Sequence, residues 1–411
     1  PLVHHTYSQQ LSIKNKKNME TLRYFGRLLK QVGSPVVRDT KGLPCPLELV
    51  KPSPLTKHYR NKDEFSIWSG IDGVSKTVGF FIGEPSKHNN VVCVEPEKLI
   101  LSKESHKKLA SKFETYLREV SPYDYCKNYQ DGGNWRRFVV RSNDAGHHMA
   151  IAIMHPQQLT ENQLQAEMNR IQLYFENDDM LNSMYFQATP NTRSSNDEQY
   201  PFELLFGETN LCENLLDNEF MISPGSFFQI NKSAAEVLYR SIVSELNPNK
   251  KTTVLDICCG TGTLACILSP YVSRVIGIDS NSAAIKEAKK NAALNNIKNV
   301  SFIDGSVETK LSQLMDEFYG QQVIVVANPT RQGLHASVIT TIRQLNYIDK
   351  LVYVSCAPED YAMRNFVHLC TPASKNNQLG APFVPINAVP VDMFPHTNHC
   401  ELIITFERFN I

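Results

Sequence analysis

Val254-Leu-Asp-Ile-Cys-Cys-Gly-Thr-Gly-Thr263 predicts a buried strand that turns through a glycine loop into a helix. Its two glycines allow a tight turn and let a ligand approach the backbone closely. Around this stretch, short apolar segments alternate with helical ones, which predicts a parallel sheet covered on both faces by helices. The predicted strands are 253–257, 274–279, 300–303, 323–327 and 350–354. The predicted helices are 232–246, 263–270, 281–295, 307–318 and 335–346.

The front half of the chain has a different pattern, in which strand-like alternation is interrupted by helices. It predicts an α+β domain with helices at 104–119 and 160–176, followed by a loop over 187–200. The predicted strands of this domain are 65–68, 77–82, 91–94, 137–141 and 149–154.

The length of 411 residues favours two domains over a single core. We expect a basic tail and a short helix (22–31) within residues 1–36, the α+β domain over 37–222, and the α/β domain over 223–411. No apolar run approaches the roughly 18 residues of a membrane span, so no membrane partner is expected. The scattered cysteines, without a CxxC pair, argue against a secreted disulfide scaffold and against a cysteine-ligated metal.

Charge is unevenly distributed along a chain of zero net charge. Residues 1–150 hold 24 Lys and Arg against 15 Asp and Glu, whereas residues 151–250 hold 5 against 14. A basic front would suit a surface that meets phosphate, but solvated surface charge explains the same counts. Residues 1–19 contain no acidic residue, which is typical of a transit peptide or its remnant, although arginine is missing; a disordered tail is the alternative.

An acidic residue follows the glycine loop at the spacing of a nucleotide-type site. Asp279 ends the second predicted strand, 23 residues after Asp256, where a carboxylate can accept hydrogen bonds from both ribose hydroxyls. The D-x-x-x-G-x-G form with this acid is more typical of S-adenosylmethionine than of NAD, whose loop is G-x-G-x-x-G. A Rossmann-like fold that binds another ligand is the alternative.

Two further residues suggest the chemistry. Cys356 follows a predicted strand in Leu351-Val-Tyr-Val-Ser-Cys, and Glu401 lies near the C-terminus. Carbon 5 of uracil is a poor nucleophile until a thiolate adds at carbon 6, and a base must then remove the carbon 5 proton. A thiol, a carboxylate and a methyl-donor loop therefore suit methyl transfer to a pyrimidine carbon. The alternatives are that Cys356 only packs at a strand end and that Glu401 only caps the last strand.

With these pieces, the chain resembles the RNA uracil-5-methyltransferase family. The similarity covers most of residues 220–411, and shorter matches in the front half point to the animal branch and its mitochondrial member. The blocks that carry it are Phe227-Phe-Gln-Ile-Asn, Val254-Leu-Asp-Ile-Cys-Cys-Gly-Thr-Gly, Asn328-Pro-Thr-Arg-Gln-Gly-Leu, Tyr353-Val-Ser-Cys and Val391-Asp-Met-Phe-Pro-His-Thr-Asn-His-Cys-Glu.

The resemblance implies a fold and roles for individual residues. The fold is a class I, Rossmann-like S-adenosylmethionine methyltransferase domain behind an N-terminal α+β RNA-binding domain. Cys356 would be the nucleophile and Glu401 the base, with Arg331 beside the target base or its phosphate. The residues implied in cofactor binding are Gln229, Gly260, Gly262, Asp279 and Asn328.

The implied function is methylation of carbon 5 of uridine in the T-loop of tRNA, in mitochondrial small-subunit rRNA, or in both. Two departures from the family pattern, Asn328 for Asp and Ala357 for Asn, motivate an alternative: an RNA-binding or RNA-folding protein with a dormant catalytic domain. An RNA cytosine-5-methyltransferase is disfavoured because Asn328-Pro-Thr-Arg lacks the second cysteine. We expect a mitochondrial location, with a cytosolic or nuclear one as the alternative; oligomeric state is not predicted.

Other polar residues have a weaker claim to function. His396, His399 and Cys400 resemble a metal cluster but lack an evident fourth ligand, so no metal is expected. Arg136, Arg137 and Arg141 share a predicted strand and are candidate RNA contacts, with a solvated sheet edge as the alternative.

Overall fold

The computed structural model describes the whole chain apart from residues 37–38, 84–90, 129–131, 192–198, 315–317, 319–320, 374–378 and 410–411. The chain forms two compact units, and each contains a seven-stranded sheet. The first unit comprises Pro1–Thr56, Leu215–Phe220 and Asn231–Ile411. The second comprises Lys57–Asn214 and Met221–Ile230.

The helices and strands are numbered in chain order. The α-helices are α1 (Tyr7–Gln31), α2 (Glu104–Glu119), α3 (Glu161–Phe175), α4 (Lys232–Leu246), α5 (Thr263–Leu268), α6 (Ser282–Leu294), α7 (Val307–Gln313), α8 (Ala336–Gln344) and α9 (Tyr361–Cys370). The strands before residue 230 are β1 (Lys62–Trp68), β2 (Thr77–Ile82), β3 (Val92–Val94), β4 (Trp135–Ser142), β5 (His148–Met154), β6 (Ser183–Ala188), β7 (Glu203–Gly207), β8 (Leu211–Leu215) and β9 (Asn218–Ile222). The later strands are β10 (Thr253–Ile257), β11 (Arg274–Asp279), β12 (Val300–Asp304), β13 (Val323–Ala327), β14 (Ile348–Ser355), β15 (Phe383–Val391) and β16 (Glu401–Arg408).

The sheet of the first unit is parallel with an antiparallel edge. Its strand order is β12-β11-β10-β13-β14-β16-β15, and β16 pairs antiparallel with both β14 and β15. The parallel strands are buried throughout β10 and β13, as a sheet covered on both faces requires. The predicted α/β class is confirmed, and all five predicted strands and five predicted helices occur within a few residues of their expected bounds. For the helix predicted at 307–318, residues 315–317 lie outside the described part of the chain.

The second unit confirms the predicted α+β pattern. Its sheet has the order β3-β2-β1-β4-β5-β6-β7, antiparallel except between β5 and β6. Helix α2 packs on this sheet through Phe113, whose ring stacks on Phe138 of β4 with centroids 4.1 Å apart. The loop predicted at 187–200 overlaps the end of β6, and residues 192–198 of that loop are not among those described.

The N-terminal segment differs most from its prediction. It was expected to be a tail or transit remnant with a helix only at 22–31, but α1 runs through 25 residues from Tyr7 and begins with a capping box at Thr6. The buried positions in its first half are Gln10, Lys14 and Asn18, spaced four apart on one face. Because these side chains are polar, hydrophobic periodicity starts only at Leu22 and conceals the first half of the helix.

The predicted domain boundaries are also wrong for the front of the chain. Residues 1–36 were expected to stand apart and 37–56 to join the α+β domain, yet all of Pro1–Thr56 clusters with the α/β unit. Phe25 of α1 packs against Phe366 of α9 and Phe406 of β16, with ring centroids 5.7 and 6.4 Å apart. Sequence pattern could not reveal this packing, because α1 and β16 are separated by almost the whole chain.

Within the described residues, no helix combines the length and apolar character needed to cross a bilayer.

Candidate active site

Cys356 and Glu401 lie at the same end of two neighbouring strands. In the antiparallel pairing of β14 with β16, the last pair is Ser355 with Leu402. Cys356 directly follows Ser355, and Glu401 directly precedes Leu402. The charge of Glu401 raises the pKa of the Cys356 thiol, so the two groups lie near each other. The thiol and the carboxyl group can therefore act on the same small group.

The carboxyl group of Glu401 is buried, with 6% of the residue exposed. Burial raises its pKa to about 7, and the positive charge of Arg331 opposes this shift. A carboxylate with a pKa near neutrality is well matched to proton abstraction at physiological pH. Burial is thus the physical cause of a base strength that the sequence does not reveal.

Burial also raises the pKa of the Cys356 thiol, and the nearby charge of Glu401 raises it further. A side-chain hydrogen bond from Arg331 favours the thiolate and lowers that pKa. Because the thiolate is the nucleophilic form, a cysteine nucleophile needs such a partner. The structure brings three of the predicted site residues together, since Arg331 acts on both Cys356 and Glu401.

Helix α1 contacts the segment that leads into Glu401. The Lys14 ammonium lies 2.5 Å from a carboxylate oxygen of Asp392, and both side chains are almost completely buried. Lys14 also donates to the carbonyl of Phe394, 2.9 Å away. Gln10 accepts a hydrogen bond from the backbone N–H of His396 at 2.8 Å. Residues 392–396 are therefore anchored to α1 by buried polar contacts, a role that sequence analysis missed.

Lys14→Met is expected to lower the free energy of unfolding by about 3–5 kcal/mol, because it leaves the Asp392 carboxylate buried without its cation. Methyl transfer should fall as well, since the anchored segment leads into Glu401. Chemical denaturation monitored by circular dichroism measures the stability. The matched control is Lys17→Met, whose exposed pair with Glu359 at 3.4 Å contributes less than about 1 kcal/mol. Equal stability of the two variants would contradict the stabilising role assigned to the buried Lys14–Asp392 pair.

The glycine loop forms an open cradle at the end of β10. Gly260 has a φ of +54°, and no described atom lies within 4 Å of the position that a Cβ there would occupy. Gly262 has a φ of +77°, but a Cβ there would lie 2.7 Å from the ring of Phe302 and 2.9 Å from Ala288. Gly260 thus leaves room beside the backbone for a ligand, whereas Gly262 lets the loop pack against the protein.

Acidic residues lie at the carboxyl ends of neighbouring strands. Asp279 accepts hydrogen bonds from the N–H groups of Gly260 and Asn281 at 2.9 and 2.8 Å, and its carboxylate keeps lone pairs for further donors. Asp304 lies next to Asp279 in register and was not predicted, although the strand-end rule applied to β12 would have found it. Burial, and then the charge of Asp279, raises the pKa of Asp256 to about 8.

The remaining predicted site residues lie at different places. Asn328 directly follows β13, whose last residue Ala327 pairs with Ile257 before the glycine loop, so it shares the same sheet edge. Gln229 is buried in the second unit, where its carbonyl accepts a hydrogen bond from Asn61 at 2.9 Å. Its assignment to the cofactor site stays a prediction.

The candidate metal and RNA contacts are also located. No group of three or more His, Cys, Asp or Glu among the described residues is arranged to hold a metal ion. Arg136 and Arg141 are buried at 1% and 4% exposure, and Arg141 donates to the carbonyl of Ser226. Of the three arginines on β4, Arg137 alone is partly accessible, with Glu64 3.5 Å from its guanidinium. Burial of Arg136 and Arg141 fits neither RNA contact nor a solvated sheet edge, and for Arg137 RNA contact stays a prediction.

The chain is similar in sequence and fold to known methyltransferases. Residues 248–358 match a methyltransferase domain model. The chain is 41% identical to tRNA (uracil-5-)-methyltransferase homolog B of Danio rerio, covering 99% of this chain and 85% of the relative. The human homolog B is 40% identical, with 99% and 82% coverage. The crystal structure of a Pyrococcus abyssi tRNA (uracil-54, C5)-methyltransferase with S-adenosyl-L-homocysteine aligns with a TM-score of 0.68 at 23% identity over 98% of this chain and 84% of that one. At that identity the likeness establishes the fold.

Proposed function

The chain belongs to the tRNA (uracil-5-)-methyltransferase family, and from this premise we propose that it methylates carbon 5 of a uridine in tRNA through a covalent intermediate on Cys356. It is an S-adenosylmethionine-dependent enzyme of this class. The observation that supports the covalent route is that the Glu401 carboxyl group lies near the Cys356 thiol, at the shared end of β14 and β16.

The residues of the chain account for the proton and electron transfers of this reaction. The Cys356 thiolate adds to carbon 6 of uracil, and the electron pair of the 5,6 double bond moves to make carbon 5 nucleophilic. After carbon 5 has gained the methyl group, the Glu401 carboxylate removes the remaining carbon 5 proton. The electrons of that C–H bond restore the double bond and expel the thiolate. Arg331 stabilises the thiolate before attack and after release.

Bound S-adenosylmethionine would supply an electrophilic methyl group on a sulfonium, and the first unit has a fitting site. Gly260 leaves open space beside its backbone, and Asp279 presents a carboxylate at the neighbouring strand end. Asn328 lies at the same edge and offers an amide where a charge is not required. These residues would hold the cofactor, and the part played by Gln229 stays a prediction from the resemblance.

Gly260→Ala and Gly262→Ala are expected to separate cofactor binding from folding. Both place alanine at positive φ, which costs about 1–2 kcal/mol. The Gly260 variant should in addition weaken S-adenosylhomocysteine binding by about tenfold or more, because its methyl group fills the cradle. The Gly262 variant should lose about 1–3 kcal/mol more of folding stability, because its added methyl group would overlap the ring of Phe302. Isothermal titration calorimetry measures the affinity for S-adenosylhomocysteine, and urea denaturation measures the folding stability. If the two variants lost the same affinity and the same stability, Gly260 and Gly262 would not have the separate roles assigned to them.

The test of the proposed function is incubation of the protein with S-adenosylmethionine and unmodified tRNA transcript, followed by nucleoside mass spectrometry. New 5-methyluridine is expected. Its absence, with intact tRNA binding, would instead favour the dormant RNA-binding protein that Asn328 and Ala357 suggest. Formation of 5-methylcytidine would indicate the cytosine-directed alternative.

We also propose the T-loop of tRNA as the target and a mitochondrial location, with mitochondrial small-subunit rRNA as a second substrate. The support is the sequence resemblance to the animal mitochondrial branch. Nucleoside mass spectrometry of RNA from separated compartments of cells lacking the protein tests both points. Loss of 5-methyluridine confined to cytosolic RNA would overturn the location.

A further inference from the structure

A groove of roughly 750 Å³ lies between α1 and α9 in the first unit. Its lining includes Tyr24 and Leu28 from α1, and Tyr361, Arg364 and Val367 from α9. None of these residues takes part in the chemistry described above. The groove nevertheless lies near the active site along the chain, because four residues separate Cys356 from Tyr361.

Each of two accessible tyrosines in this groove has an arginine guanidinium close to its ring. Tyr24 is 42% exposed and Tyr361 is 53% exposed. The Arg27 guanidinium lies 5.5 Å from the centroid of the Tyr24 ring, and that of Arg364 lies 5.2 Å from the Tyr361 ring. Accessible aromatic rings combined with guanidinium groups are the means by which proteins stack unpaired bases.

The solvent face of α1 is basic along most of its length. It presents four cations, Lys16, Arg23, Arg27 and Lys30, with Glu20 as the acidic residue among them. Lys16 and Lys30 are 14 residues apart, or about 21 Å along the helix axis. On the groove side, the charge of Glu359 is offset by Lys17 at 3.4 Å and by a hydrogen bond from Thr21 at 3.0 Å. Asp360 also lines the groove, so the part of this surface that complements a polyanion is the exposed face of α1.

Base flipping explains why such a surface would be needed beside Cys356. A uridine that enters a buried catalytic site leaves its stack, and the nucleotides on either side lose a stacking neighbour. Aromatic side chains close to the site can replace that lost stacking, while cations hold the phosphates. Arg136 and Arg141, two of the candidate RNA contacts on β4, are buried, so other cations would have to supply phosphate contacts.

We propose that the groove between α1 and α9 binds the unpaired nucleotides that flank the target uridine. Tyr24 and Tyr361 stack on bases, and the basic face of α1 contacts phosphates. This inference rests on the proposed function for the identity of the RNA.

The experiment measures affinity for a fluorescently labelled tRNA transcript by anisotropy over a series of KCl concentrations, using the full chain. Lys16→Glu/Arg27→Glu/Lys30→Glu should weaken binding by about tenfold or more and reduce the slope of log affinity against log salt by about two to three. Tyr24→Ala/Tyr361→Ala should weaken binding by about tenfold while the salt slope stays unchanged. Both variants should raise the KM for tRNA.

The matched control reverses three exposed lysines of α6 in the same unit, Lys286→Glu/Lys289→Glu/Lys290→Glu, and should leave RNA affinity unchanged. Thermal unfolding of each variant verifies the fold. Wild-type affinity in the groove variants, or an equal loss in the α6 control, would overturn the inference. Wild-type RNA affinity in the groove variants would favour an acidic protein segment as the ligand of the groove.

The groove inference and the proposed function can each fail without the other. If the wild-type protein methylates tRNA and the groove variants bind it normally, the groove inference fails alone. If the groove variants lose RNA affinity but the wild-type protein makes no 5-methyluridine, the groove inference stands and the proposed function fails.

Discussion

Cys356→Ala is expected to lower the rate of RNA methylation by at least about 10⁴-fold, because without the thiolate carbon 5 of uracil is not activated. The variant should also fail to form a covalent complex with 5-fluorouridine-containing tRNA. In the wild-type protein this complex persists, since the base cannot remove fluorine from carbon 5 as it removes a proton. A denaturing gel shows the complex as a band of reduced mobility that contains both protein and RNA.

The control for this experiment is Cys212→Ala, which changes an exposed cysteine in the second unit. It should retain both methylation and the covalent complex. Persistence of the complex in Cys356→Ala would assign the nucleophile to another residue. Full methylation by Cys356→Ala would exclude a covalent route through Cys356.

Glu401→Gln is expected to lower kcat by about 10²–10⁴-fold, the usual contribution of a general base. Because addition of the thiolate and methyl transfer precede proton removal, the variant should accumulate a covalent protein–RNA complex on ordinary tRNA. The matched control is Glu407→Gln on the same strand, where the carboxylate is exposed and lies 3.2 Å from Lys350. That control should behave as the wild-type protein does. A Glu401→Gln variant that turns over normally would remove the carboxylate from the mechanism.

The same carboxyl group predicts the pH dependence of the reaction. Its pKa is raised to about 7, and the base acts only when deprotonated, so the rate should be low below pH 7 and rise through neutrality. The raised pKa of Cys356 acts in the same direction, because the nucleophile is the thiolate. In Glu401→Gln, the residual rate should no longer show the rise near pH 7 that deprotonation of Glu401 causes. A wild-type rate that falls as the pH rises from 6 to 8 would contradict these assignments.

Local patterns predicted much of the fold. The alternation of buried strands with helices from residue 232 onward gave bounds close to those observed, because each element is encoded by its own periodicity. Helix α2 was predicted at its observed bounds for the same reason. The N-terminal helix escaped prediction because its buried side chains Gln10, Lys14 and Asn18 are polar, and Gln10 and Lys14 find partners at His396 and Asp392, far along the chain.

The candidate site shows the same division. The sequence by itself determined the glycine loop, the strand-end carboxylate Asp279 and the identities of Cys356 and Glu401, since these depend on residue type and local spacing. The tertiary structure alone decided that β16 inserts antiparallel between β14 and β15, which brings Glu401 near Cys356 although 44 residues separate them. It also decided the burial that raises the pKa of Glu401. Both depend on which distant segments pack together, and no local pattern specifies that.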